Sequence, residues 1–110
     1  MKNTLKRNND FRRLYARGKS CVMPTLVVYA AKNRGGQSRL GLTAGKPVGN
    51  AVKRNRAKRL MRGAYRALQD RLTPGYDYVI VARTRMNGQK EQRVLSDMRR
   101  AMEKLKLFRE

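Results

Sequence analysis

Asn55, Arg59, Arg62 and Arg66 recur at i, i+4, i+7 and i+11. On a helix that spacing lines up one stripe of hydrogen-bond donors. The chemistry open to such a stripe is the capture of anions, because a guanidinium offers a fork of N–H groups that matches two phosphate oxygens at once. Lys58 falls on the same side, while Ala57, Leu60, Met61, Ala64, Tyr65, Ala67 and Leu68 fall on the opposite arc and suit packing. Charged helix faces are usually just solvated, but those mix signs, since like charges at i,i+4 repel by about 0.2–0.5 kcal/mol per pair. No acid lies between Asp10 and Asp70, an interval that holds fifteen Lys or Arg. A polyanion relieves that repulsion, so the stripe reads as a surface that meets one.

The helix is fed by a Pro/Gly turn, Gly45-Lys46-Pro47-Val48-Gly49, and Asn50 stands at its start. Gly41-Leu42-Thr43-Ala44-Gly45-Lys46 resembles a phosphate loop but is one residue short between its glycines, and Pro47 stands where a Ser or Thr is needed. Nucleotide hydrolysis is therefore not expected. The helix N-terminus still offers unpaired N–H groups and a positive dipole end, with Lys46, Lys53 and Arg54 alongside.

A second cluster lies near the start. Asn8 or Asn9 can cap a short helix over residues 10–17, stopped by Gly18. Phe11, Leu14 and Tyr15 fall on one face of it, either all in the core or with one aromatic lining a binding surface. Arg12, Arg13 and Arg17 are expected to be exposed.

The elements that position these groups follow from periodicity. Residues 20–31 read as strand, broken at Pro24, with Thr25, Val27 and Tyr29 on one face and Leu26, Val28 and Ala30 on the other. Gly35-Gly36 suits a hairpin turn. The strand over 39–44 puts Leu40, Leu42 and Ala44 toward a core, and Arg39, Gly41 and Thr43 away from it, which predicts a sheet with one wet face. Thr73-Pro74-Gly75 ends the basic helix, and Tyr76–Ala82 forms a last strand. Strand, long helix and strand make a crossover, so these two strands are expected to run parallel as neighbours or near neighbours. A helix over 89–106 buries Val94, Leu95, Met98, Ala101, Met102 and Leu105. Its outer face mixes signs through Arg93 with Asp97 and Arg99 with Glu103, as solvated helices do.

Length and composition bound the function. A chain of 110 residues, 40% hydrophobic, supports one domain over 1–110. Twenty-eight Lys+Arg against seven Asp+Glu give +21, the charge field of a nucleic-acid binder. The short Ala-rich apolar faces do not suit a membrane surface, no run of apolar residues is long enough to span one, and the N-terminus lacks the apolar core of a signal peptide. The expected location is the cytoplasm. Cys21 has no second cysteine to pair with and reads as a small, at least half-buried hydrophobe. The chain has no histidine, no Cys/His cluster for zinc, and acids scattered too widely for a two-metal site, so it is expected to hold no metal and to carry no catalytic residue of its own.

Arg39-Leu40-Gly41, then Lys46-x-x-Gly49-Asn50-Ala51-Val52-x-Arg54-Asn55-Arg56-x-Lys58-Arg59-x-x-Arg62, resembles the RNR signature of the protein subunit of bacterial ribonuclease P. The resemblance covers nearly the whole chain, from Leu5 onward. It implies an α+β sandwich in the order αβββαβα, with a mixed sheet and a left-handed crossover at the basic helix, the opposite of the general rule. It implies further that a catalytic RNA, using magnesium held mainly by that RNA, removes the 5′ leader of precursor tRNA, with this chain as its accessory protein. By similarity, Lys46, Asn50, Lys53, Arg54, Asn55, Arg56, Lys58, Arg59, Arg62 and Arg66 meet the catalytic RNA. Phe11, Arg12, Arg13, Tyr15, Val27 and Tyr29 line a cleft for the single-stranded leader, where stacking tolerates any base sequence. The free protein is expected to be a monomer. The rivals are a small ribosomal protein acting as structural RNA glue and, more weakly, a protein-only nuclease.

Overall fold

A computed structural model of the chain describes Leu5 and residues 8–109; the rest of the basic leader over 1–7 lies outside the described residues. Helix α1 (Asn8–Arg17) is followed by strands β1 (Lys19–Val22), β2 (Leu26–Lys32) and β3 (Arg39–Thr43), helix α2 (Ala51–Leu68), strand β4 (Tyr76–Ala82) and helix α3 (Glu91–Lys104). Short 3-10 turns at Lys46–Val48 and Thr84–Met86 precede α2 and α3. The order αβββαβα is the expected one. Asn8 and Asn9 lie inside the first turn of α1, so neither is its cap.

The four strands form one mixed sheet in the order β1-β2-β4-β3. β4 takes the centre because its residues tolerate burial on both faces: Tyr78, Val79 and Ile80 are all at 0% exposure. It runs antiparallel to β2 and parallel to β3, with Val27, Val79 and Ile80 opposite Val81, Gly41 and Leu42 respectively. The crossover through α2 therefore joins adjacent parallel strands. The hairpin expected at Gly35-Gly36 does not form, because β4 lies between β2 and β3. The turn instead curls on itself, with Asn33 Oδ1 accepting from the Gly36 N–H at 3.1 Å.

One face of the sheet carries Leu26, Val28, Ala30, Leu40, Tyr78 and Ile80, and α2 and α3 cover it with Ala57, Met61, Ala64, Leu68, Val94, Met98 and Met102. Each large apolar side chain buried here contributes about 1.5–3 kcal/mol. Ala67, assigned to the packing arc of α2, is exposed. Asp97 departs from the solvated face expected of α3. It is 3% exposed and accepts from the Thr25 N–H and hydroxyl at 3.1 and 2.7 Å, with Arg93 at 3.3 Å on its outer side. It thereby pins α3 to the break between β1 and β2, where Pro24 leaves backbone donors without a ladder partner.

The other face is not simply wet. α1 crosses it, with Leu14 directed down against Val79, and Leu5, Phe11 and Tyr29 around them. Gly41 is buried beneath this helix: a Cβ there would lie 2.9 Å from the Phe11 ring, so only glycine gives α1 room at this depth. Leu5 is stitched to β3 by its N–H, which donates to the Leu40 carbonyl at 3.0 Å.

Candidate nucleic-acid interface

α2 begins at the end of the sheet where β3 and β4 terminate. Gly49 holds φ at +134°, a conformation that side-chain-bearing residues avoid, and this turns the chain from the Lys46–Val48 turn into the helix. Asn50 caps it, its Oδ1 accepting from the Lys53 N–H at 3.0 Å. Arg54 Nε donates to the Gly49 carbonyl at 2.9 Å, and Arg56 reaches across to the carbonyl of Gln89. Asn87 closes the corner by donating to the Val48 carbonyl at 2.7 Å. Three members of the motif, Asn50, Arg54 and Arg56, thus shape the loop and helix start themselves.

The others point outward. Lys46, Lys53, Asn55, Arg59 and Arg66 are exposed, and Lys58 and Arg62 are half-buried. No ion pair among the described residues involves α2. The carboxylate of Glu91 lies against α2 at Gly63 without pairing to the stripe, and the N-terminal N–H groups of Ala51 and Val52 add a positive dipole end. Val52 is 74% exposed among these cations, an apolar spot suited to a sugar or base rather than to a phosphate.

Adjoining the same end of the sheet is a row that α1 leaves uncovered, formed across the strands by Val22, Val27, Val81 and Thr43. Tyr15 and Tyr29 border it, their rings edge to face with centroids 4.8 Å apart, and Tyr15 keeps 45% exposure. Phe11 lies 6.4 Å from Tyr15 but is half-buried on Gly41. The question left open for α1 resolves by residue: Leu14 is core, Phe11 is the wall beneath, and Tyr15 is surface. The row is apolar and open, with aromatic edges, which suits unpaired bases. Val22, Thr43 and Val81 were not among the expected cleft residues, although the alternation of β3 and β4 places Thr43 and Val81 on the face of Val27 once the register is known.

Arg12 is exposed on the outer side of α1, whereas Arg13, expected to be exposed, is half-buried and held by a carboxylate. Arg13 pairs with Asp77, a carboxylate at 0% exposure on β4, which also accepts from Arg39 at 3.0 and 2.7 Å and from Asn33 at 2.8 Å. Burial pushes this carboxyl up, but the hydrogen bonds from Arg39, Asn33 and Arg13 together outweigh it and hold it below its ordinary value. The same contacts raise Arg39 further above the usual guanidinium range. Arg13 also donates to the Lys32 carbonyl at 3.4 Å, so the network ties α1 to β2, β3, β4 and the loop after β2.

No group of three or more His, Cys, Asp or Glu side chains converges among the described residues. Asp77 has both oxygens occupied by nitrogen donors, and Asp10 lies 3.7 Å from Arg39. No helix among the described residues is long and apolar enough to cross a membrane.

Fold and site together define a class: a small α+β protein presenting a cationic helix beside an apolar, aromatic-edged row on an open sheet face. A family model described as Ribonuclease P matches residues 1–106. The ribonuclease P protein component of Clostridioides difficile is 45% identical over 80 residues, covering 72% of this chain and 70% of that one. That of Alkaliphilus metalliredigens is 35% identical over 106 residues, covering 96% of each. Among solved structures, the RNase P protein of Staphylococcus aureus matches with a TM-score of 0.87 at 28% identity, over 97% of this chain and 98% of that one. The RNase P protein from Thermotoga maritima matches with a TM-score of 0.78 at 27% identity, over 88% and 92%. The chain belongs to the ribonuclease P protein family.

Proposed function

We propose that this chain is the accessory protein of a ribonuclease P whose catalytic RNA removes the 5′ leader of precursor tRNA. The observation that carries this reading is the meeting, at one end of the sheet, of a carboxylate-free cationic helix with an open apolar row edged by Tyr15 and Tyr29. In this reading Lys46, Lys53, Asn55, Lys58, Arg59, Arg62 and Arg66 neutralise phosphates of the catalytic RNA, while Asn50, Arg54 and Arg56 hold the surface that presents them. Val27, Tyr15 and Tyr29 receive unpaired leader bases, and Arg12 and Phe11 flank them. The bond-breaking step and its magnesium are left to the RNA, consistent with a protein whose carboxylates are scattered or already paired. The protein acts as a monomer in the cytoplasm.

The test is cleavage of a 5′-extended precursor tRNA at low magnesium, with the protein and a bacterial ribonuclease P RNA each omitted in turn. Cleavage at the mature 5′ end that requires the RNA and is strongly raised by the protein is the expected result. Indifference to the protein would favour a structural RNA-binding role of the ribosomal kind. Cleavage surviving removal of all RNA would make the protein itself the nuclease.

A further inference from the structure

α1 divides the open sheet face into two unlike halves. With Leu14 directed at the sheet, Phe11 and Tyr15 project on the flank facing the apolar row, and Asp10, Arg13 and Arg17, at i, i+3 and i+7, project on the other. Beyond that second flank lies a cleft of about 870 Å³ lined by Arg13, Arg17, Lys19, Lys32, Arg34 and Arg39. Asp10 is the acid in its lining, and Asp77 is buried beneath it at 0% exposure. Asp77 is consumed by Arg13, Arg39 and Asn33, so it fixes those guanidiniums in place instead of repelling an anion. Arg17, Lys19, Lys32 and Arg34 have no carboxylate partner among the described residues. Among the described residues no aromatic ring except Tyr76 lines the cleft, so it suits backbone phosphates rather than stacked bases.

Resting on the reading above, we infer that this cleft is a second RNA site, which takes phosphates of the leader upstream of the bases held in the apolar row. The direction follows from the layout. α2 and its loop adjoin the apolar row, so the cleavage junction lies at that end and the upstream leader is directed away from it, toward α1. The outer ridge of α1 there is formed by Arg12 and Ala16, both exposed, a cation beside a methyl group that leaves the ridge low enough for a strand to cross. A leader long enough to cross reaches the cleft; a short one ends before it.

The experiment measures binding of precursor tRNA to the assembled RNA–protein complex, with leaders from about four to about sixteen nucleotides. It compares the wild-type protein, the double variant Lys32→Ala/Arg34→Ala and Tyr29→Ala. Lys32 and Arg34 are exposed at a strand end and in a loop, so the double variant is expected to melt with the wild type. Its affinity should match the wild type for the shortest leader and fall about fivefold for the longest. The slope of log affinity against log salt should drop by about 1.4 for the longest leader alone. Tyr29→Ala should lose affinity at every leader length. An equal loss at all lengths would assign the cleft to another part of the RNA, and no loss at any length would leave it without a leader role; either outcome overturns the inference. If the wild-type complex itself binds precursor and mature tRNA alike, it is the leader-binding reading that fails.

Discussion

Arg56 and Arg59, three positions apart on α2, show how two residues of one motif divide between architecture and recognition. Arg56 donates to the Gln89 carbonyl and links the start of α2 to the loop before α3, whereas Arg59 has no partner among the described residues. We expect Arg59→Ala to leave the melting temperature unchanged and to weaken catalytic-RNA binding, with the salt slope reduced by about 1. Arg56→Ala should lower both stability and binding; equal melting of the two variants would show that the Gln89 contact holds nothing. Asp77 titrates on the same logic. An unfolded aspartate titrates near 3.8, and the folded carboxyl lies below that value. Its contribution is therefore complete above the unfolded value and is lost as pH falls through the folded one. Asp77→Asn is expected to cost about 2–3 kcal/mol at neutral pH, toward the low end for a buried pair because both guanidiniums reach water. In urea unfolding the gap between variant and wild type should shrink as pH falls below the unfolded value of 3.8; a gap that stays constant would separate the network from protonation. Neither role was legible in the sequence, since a lone acid in a strand pattern carries no mark of the arginines that fold back to meet it.

At the level of elements, periodicity was a good guide to faces and a poor one to neighbours. Tyr76–Ala82 was bounded correctly because five β-forming residues, Tyr76, Tyr78, Val79, Ile80 and Val81, lie between a Thr-Pro-Gly stop and a basic loop. Val28 and Val27 fell on the faces their alternation assigns. The pairing of β2 was missed because Gly35-Gly36 is equally compatible with a hairpin and with a loop that steps over another strand, and no local signal distinguishes the two. The aromatics of α1 stayed ambiguous for a related reason: whether Phe11 is wall or surface depends on Gly41, thirty positions away. Gly41 is therefore the place to test α1 as an element. Gly41→Ala must displace the Phe11 ring, and we expect a loss of about 1–3 kcal/mol. Precursor tRNA affinity should fall while catalytic-RNA binding is kept, because α2 does not touch this contact. Parallel losses of both would mean that the two halves of the surface are not separable.

For the whole molecule, the +21 charge sets two responses to salt with opposite signs. Screening relieves self-repulsion in the free protein, so its melting temperature should rise with added salt. The same salt should weaken the complex with RNA steeply, as displaced counterions regain their advantage. A melting temperature that falls with salt would show that the internal ion pairs, and not the repulsion along α2, dominate the free protein. The strand order has a further consequence, for the time at which the molecule becomes itself. β4 is the last strand made and lies between β2 and β3 in the sheet, so a chain emerging from the ribosome has β2 and β3 in hand with nothing yet to join them. Contacts of such long sequence separation form late and slowly. Until residue 82 is free to insert, Val79 cannot seat Leu14, Asp77 cannot collect its arginines, and the open row has no Val81. A nascent chain of this kind carries most of its positive charge before it has a surface on which to organise it, and its affinity for RNA acquires a shape only when the final third of the chain arrives.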